Sequence, residues 1–259
     1  MSETIVVKIG GSTLGSHDTT LDDVVQLQKR GMTPIVVHGG GALITEWLKL
    51  HNIPTRFVRG LRVTDTESLR IVVAVLSGLV NKELVAALTA RGGRAVGISG
   101  CDGALLEASP DPDLGYVGEI RRVNLEVVRA LVAAGFIPVI SPVGIGVGEA
   151  GQDGEASLLN INADTAAGEI AAALPAGRLV FMTDVAGVLD GEGRRIGRLS
   201  AAEATALMTA GTASGGMIPK LEACLRAAAA GAQTRIVDGR ESHALLTLLE
   251  AQELGTAVG

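Results

Sequence analysis

The run TIVVKIGG (residues 4–11) sets Lys8 between Val7 and Ile9 and ends in two glycines. A lysine in a buried strand is costly unless it is paired or faces a ligand. An edge-strand lysine reaching solvent is the plain alternative. Gly10 and Gly11 weigh against it, because glycine lets a phosphate approach the backbone. A second cluster, Gly39, Gly40 and Gly41, follows the apolar run TPIVVH and precedes a helical stretch. N–H groups at a helix start, with the positive end of the helix dipole, make an anion site. A tight strand-to-helix turn alone would need one glycine, not three.

Two further segments carry candidate side chains. NINADTAAGEIA (160–171) places Asn160, Asn162 and Asp164 at alternate positions just before a helical run. On an extended segment they project to one side. Asp164 also suits a helix N-cap, and one residue can fill both roles. GRLVFMTD (177–184) ends in Asp184, and GTASGGMIPK (211–220) brings Lys220 near a helix start. A cation there opposes the helix dipole, so a bound anion explains it better than solvent does. Other chemistries lack their residues. The sequence holds no GxxxxGK[ST] and no GxGxxG after a strand; Gly144, Gly146 and Gly148 give only GxGxG. His17, His38, His51 and His243 show no ligand spacing, so no histidine-held metal is expected.

These residues need elements to position them. Buried β-rich runs at 4–11, 33–41, 93–100, 136–142, 177–184 and 233–240 end in Gly, Ser or Asp or run on into glycines. Helical stretches, such as 18–31 and the one after Gly41, lie between them. This alternation predicts an α/β fold built from βαβ units on a mostly parallel sheet. Ligands of such sheets bind at the carboxyl ends of the strands, where the glycines fall. Residues 104–122 and 143–161 break the pattern and read as hairpins, forming a lid or a small accessory sheet. Residues 65–91 read as one long helix, with Leu69, Val73, Leu76, Val80, Leu84 and Leu88 as one apolar stripe. Ile71, Val72, Val75 and Leu79 are apolar on another side, and Ser77-Gly78 is a place for a bend.

Composition narrows the classes. The 259 residues carry a net charge of −6, with 47% hydrophobic and 19% charged residues, which is globular rather than disordered. No basic run offers nucleic acid a footprint. The longest apolar run, Ile71 to Leu76, is far shorter than the roughly 18 residues of a membrane span, and no secretory signal is readable at the N-terminus. Cys101 and Cys224 lie far apart and outside any CxxC, so a reducing, cytoplasmic setting is expected. One Trp, one Tyr and three Phe leave the core to aliphatic residues.

Seven segments in order resemble the amino acid kinase family: KIGG (8–11), VHGGG (37–41), GLRVTD (60–65), LVNKELV (79–85), NINAD (160–164), DVAGVLD (184–190) and GGMIPK (215–220). Within it the chain is most similar to the branch that phosphorylates N-acetyl-L-glutamate, and the likeness spans nearly the whole chain. The resemblance implies a three-layer αβα sandwich around a mainly parallel eight-stranded sheet. Residues 1–175 would mainly bind the amino acid and residues 176–259 mainly ATP. The implied reaction moves the γ-phosphoryl of MgATP to the side-chain carboxylate of N-acetyl-L-glutamate, giving an acyl phosphate in arginine biosynthesis.

Carried onto this sequence, the family pattern makes Lys8 and Lys220 flank the moving phosphoryl group, with Asp164 holding both. Gly11 and Gly41 would donate backbone N–H groups to phosphate oxygens. Gly40 and Gly41 would also contact the substrate, Arg62 would pair with its α-carboxylate, and Asn160 would bind its main-chain end. Asp184, Val185, Ala186, Gly187, Val188 and Leu189, with Thr212, Ala213 and Ser214, would form the nucleotide site. Magnesium would arrive with ATP and needs no dedicated protein ligand. A homodimer is expected, formed through the second face of helix 65–91. Because the first strand begins near Thr4, leaving no room for the extra helix of arginine-inhibited hexamers, arginine is not expected to inhibit it. Two competing readings stand beside this one. A kinase of carrier-linked aminoadipate or glutamate should differ around Arg62 and NINAD. A non-catalytic nucleotide or amino-acid sensor should have lost a lysine or Asp164.

Overall fold

The computed structural model describes residues 3–10, 19–147, 157–175, 177–251 and 254–259. The first half runs β1 (Thr4–Ile9), α1 (Thr20–Lys29), β2 (Thr33–His38), α2 (Gly41–Leu50), β3 (Phe57–Val58), β4 (Leu61–Arg62), α3 (Thr66–Val73), α4 (Asn81–Ala90) and β5 (Ala95–Ser99). Then come β6 (Leu106–Pro110), β7 (Gly118–Val123), α5 (Glu126–Ala133), β8 (Ile137–Ser141), β9 (Val143–Gly146) and β10 (Leu158–Asn160). The rest is α6 (Ala163–Ala173), β11 (Arg178–Thr183), β12 (Arg198–Leu199), α7 (Ala201–Thr209), α8 (Met217–Ala229), β13 (Gln233–Asp238), α9 (Ala244–Ala251) and β14 (Thr256–Val258).

Eight strands form the central sheet in the order β12-β14-β13-β11-β1-β2-β8-β5. Every neighbouring pair is parallel except β13 with β14. The alternating runs of the sequence thus become the expected mainly parallel sheet. Strand alternation sorts side chains to two faces. Ile5, Val7 and Ile9 of β1 join a core with α1, α2, α3, α4 and α9, while Val6 joins one with α5, α6, α7 and α8. Lys8 therefore points to the side of Val6, at the carboxyl end of β1. The three layers follow from these two cores.

The two hairpin regions join in one four-stranded sheet, β10-β9-β6-β7, on the Val6 side. The accessory-sheet expectation is met, although residues 148–156 of the second hairpin lie outside the described residues. A two-stranded sheet, β3-β4, had no readable signal, since each strand has only two residues.

Helix 65–91 is continuous from Thr66 to Ala90, with a π-helical turn at Ala74–Val80. The Ser77-Gly78 pair lies inside that turn. The wider turn shifts the buried row. Leu76, Val80, Leu84 and Leu88 are buried as expected, but Val72 and Val75 replace the half-buried Leu69 and Val73. By length and composition this helix could cross a membrane; its buried row instead packs against the sheet and α2.

Candidate active site

Three elements bring charge together at the carboxyl edge of the sheet. Lys8 comes from β1, Asp164 from the first turn of α6 and Lys220 from the first turn of α8. Lys8 Nζ is 2.7 Å from Asp164 Oδ1, and Lys220 Nζ donates to Asp164 Oδ2 at 2.9 Å. All three side chains are buried or nearly so. Helix packing sets this meeting. α6 and α8 cross so closely at Gly168 that a Cβ there would lie 2.7 Å from the Cβ of Ala223. Asp164 and Lys220 each sit about one turn before that crossing, so their side chains face one another.

The sequence expectation that Asp164 caps α6 is corrected. Asn162 is the N-cap, in extended conformation, and its Oδ1 accepts from the N–H groups of Asp164 and Thr165 at 2.9 and 3.0 Å. The division of labour is physical. A carboxylate turned back to cap the helix could not also reach two lysines, so the neighbouring amide does the capping.

Burial alone would raise the Asp164 pKa, but the ammonium groups of Lys8 and Lys220 hold it below the ordinary carboxylate value. Burial depresses the Lys8 pKa, against the pull of Asp164.

A second cation faces the same cleft. Arg62, buried on β4, donates through Nη2 to the Gly41 carbonyl at 3.1 Å and to Thr45 Oγ1 at 2.8 Å, and lies over the Phe57 ring at 4.7 Å. No carboxylate pairs with it among the described residues. A buried guanidinium with only neutral partners is costly, so the site favours an anionic ligand. Asn160 Nδ2 donates to Thr64 Oγ1 at 3.0 Å, and the Thr64 hydroxyl donates to the Arg62 carbonyl at 2.9 Å. That chain leaves Asn160 Oδ1 as an acceptor.

Lys8, Gly39, Gly40, Gly41, Arg62, Asn160 and Asp164 line one cavity of about 240 Å³, the size of a small acid rather than a nucleotide. Ile44, Leu76, Val117 and Ile161 supply its apolar wall. Gly40 is the N-cap of α2 and Gly41 its first residue, so N–H groups at the start of that helix border the cavity. Asp184 directly follows β11 and lies outside the cavity, with Val185, Ala186, Gly187, Val188 and Leu189 after it. Val188 N–H is tied to Thr256 Oγ1 at 2.9 Å. Thr212, Ala213 and Ser214 lie in the turn between α7 and α8, just before Lys220. Gly11 lies outside the described residues. Among the described residues, no group of His, Cys, Asp or Glu is arranged to hold a metal.

Sequence reasoning missed Thr45, Thr64 and the capping role of Asn162. Threonines in loops and helices carry no type signal. Only the fold brings Thr64 to Asn160, 96 positions away.

The model of the amino acid kinase family matches residues 3–238. Over 98% of its length the chain is 47% identical to the acetylglutamate kinase of Dehalococcoides mccartyi, covering 93% of that protein. Among solved structures it is similar to a Streptococcus mutans protein, with a TM-score of 0.84 and 30% identity, covering 100% of this chain and 99% of the other. It is also similar to the N-acetylglutamate synthase of Neisseria gonorrhoeae, solved with coenzyme A and N-acetyl-glutamate. There the TM-score is 0.81 and the identity 26%, over 99% of this chain and 59% of that one.

Proposed function

The chain belongs to the amino acid kinase family, and from that premise we propose that it phosphorylates the side-chain carboxylate of N-acetyl-L-glutamate with ATP, in arginine biosynthesis. The observation that carries this reading is the meeting of Lys8, Asp164 and Lys220 beside a glycine loop and an anion-seeking Arg62. A side-chain carboxylate has a pKa near ~4.3 and is ionised at pH 7. It attacks without a general base, so the lack of a histidine dyad is no obstacle. The barrier is the mutual repulsion of two anions, which positive charge and fixed N–H donors lower.

In this reading Lys8 and Lys220 flank the γ-phosphoryl group, and Asp164 fixes both ammonium groups. Gly11 and Gly41 donate N–H groups to phosphate oxygens, and Gly40 and Gly41 border the substrate. Arg62 takes the α-carboxylate through a bidentate contact. The free Oδ1 of Asn160 accepts the acetamide N–H. The 184–189 loop and the 212–214 turn hold the nucleotide, which brings Mg²⁺ with its phosphates. Residues 1–175 serve mainly the amino acid and 176–259 mainly ATP. The molecule works as a homodimer in a reducing, cytoplasmic setting, and both its cysteines are free.

A coupled ADP-release assay with acetylglutamate, glutamate and aspartate tests the reading. Acetylglutamate alone is expected to give rapid turnover. Faster turnover with either free amino acid, or none with any, overturns it.

A further inference from the structure

The phosphoryl-transfer reading uses no histidine, yet His38 is fully buried at the end of β2, beside the glycine loop. Its Nδ1 lies 2.9 Å from the Gly39 carbonyl oxygen. A carbonyl only accepts, so Nδ1 carries the proton. Its Nε2 lies 3.2 Å from Asn81 Nδ2. An amide nitrogen only donates, so Nε2 is bare. Together these contacts select one neutral tautomer.

Asn81 is held the right way round. Its Nδ2 also donates to the Val139 carbonyl at 2.9 Å, and its Oδ1 accepts from Lys82 Nζ at 3.0 Å. Turning the amide over would set oxygen against a carbonyl and nitrogen against an ammonium group. The fold keeps space for it, since a Cβ at Gly97 would lie 2.0 Å from Asn81 Oδ1. The π-turn also packs against the glycine loop, where a Cβ at Gly40 would lie 2.7 Å from Leu76 Cδ2. Burial, with Lys8 on β1 and Lys82 on α4 as charged neighbours, brings the His38 pKa down to about 4.

All described peptide bonds are trans. In a trans peptide the N–H of residue 40 points opposite to the carbonyl of residue 39. We infer that His38, kept in its Nδ1–H form by Asn81, is a positioning residue that turns the Gly39 carbonyl inward and so aims the Gly40 N–H at the anion in the cleft. Identifying that anion as part of the phosphoryl-transfer complex rests on the proposed function. A donor fixed before the reaction costs no reorganisation during it.

Two substitutions separate positioning from packing. In His38→Asn the amide nitrogen takes the place of Nδ1 and can donate to the same carbonyl. His38→Leu fills the volume without a donor. His38→Leu is expected to lower kcat about 10- to 100-fold, the scale of a misplaced catalytic contact, with both KM values little changed. His38→Asn is expected to recover most of that loss. A packing role reverses the order, since leucine suits an apolar site better than asparagine does. Wild-type kcat in His38→Leu, or no recovery in His38→Asn, overturns the inference. Nitrogen-15 shifts of wild-type His38 provide a readout that needs neither variant to fold nor the enzyme to turn over. A protonated Nδ1 with bare Nε2 from pH 6 to 8 supports the inference. An Nε2–H tautomer or an imidazolium overturns it. Wild-type protein that leaves acetylglutamate unphosphorylated sinks the proposed function but leaves this test standing.

Discussion

Asp164 serves two cations, and that count decides what each substitution does. Losing either lysine leaves one balanced buried pair; losing the carboxylate leaves two ammonium groups without it. Lys8→Ala and Lys220→Ala are each expected to lower kcat at least about 100-fold, the scale of one lost transition-state donor, with little change in Tm. Near-normal kcat at saturating substrate in either variant rules out the assigned role. Asp164→Asn is expected to cost about 3 kcal/mol, as breaking a buried pair does, and calorimetry showing an unchanged Tm counts against that. The sign with pH follows. The folded Asp164 pKa is depressed, so its contribution is full above ~3.9 and is lost as pH falls through the folded value. Lys8 has the same sign in a higher window: its depressed pKa makes folding more favourable as pH rises from the folded value toward ~10.4. Arg62→Ala is expected to raise KM for acetylglutamate far more than KM for ATP, because the contact acts in ground-state binding. A selective rise for ATP moves Arg62 to the nucleotide side. Lys8 and Lys220 were legible because each is a costly type in a costly place, and Asp164 from its alternate spacing with Asn160 and Asn162, whereas Arg62 came only with the family resemblance. The threonines that orient their neighbours were not, since hydrogen bonds between distant segments leave no periodicity.

At the scale of elements, the start of α6 is where stability and site geometry meet. Asn162 caps the helix and fixes the turn that carries Asp164. Asn162→Ala is expected to cost about 1 kcal/mol, the usual price of a lost cap, and to lower kcat as Asp164 loosens from its lysines. Asn162→Ser restores a cap and is expected to recover most of the lost Tm. Equal Tm for wild type and the alanine variant shows that the cap is idle. The strong elements could be read because continuous apolar runs of five or six residues end in or run on into glycines, Ser or Asp. β12 and β14 could not, with two and three residues. The shifted stripe in the 66–90 helix has a similar cause. The stripe expected from sequence follows a uniform period of 3.6, and a π-turn breaks that period locally.

The whole molecule leaves one face unexplained by the monomer. The 66–90 helix buries Val72, Leu76, Val80, Leu84 and Leu88 inward, yet only 39% of its most apolar stretch is buried. Ile71 and Leu79 remain half-buried, beside the exposed Ala74 and Gly78. A helix apolar on two faces gains by covering the second. A two-fold contact is the simplest closed solution, because the same face then meets itself and no further copies are recruited. Small residues at Ala74 and Gly78 allow two such helices to cross closely, with Ile71 and Leu79 packing around the crossing. Light scattering is therefore expected to give twice the 26.4 kDa of one chain. Leu79→Glu places a charge in the contact and is expected to halve that mass while leaving the fold intact by circular dichroism. A wild-type mass of one chain rejects the dimer, and a dimer untouched by Leu79→Glu assigns the contact to another face.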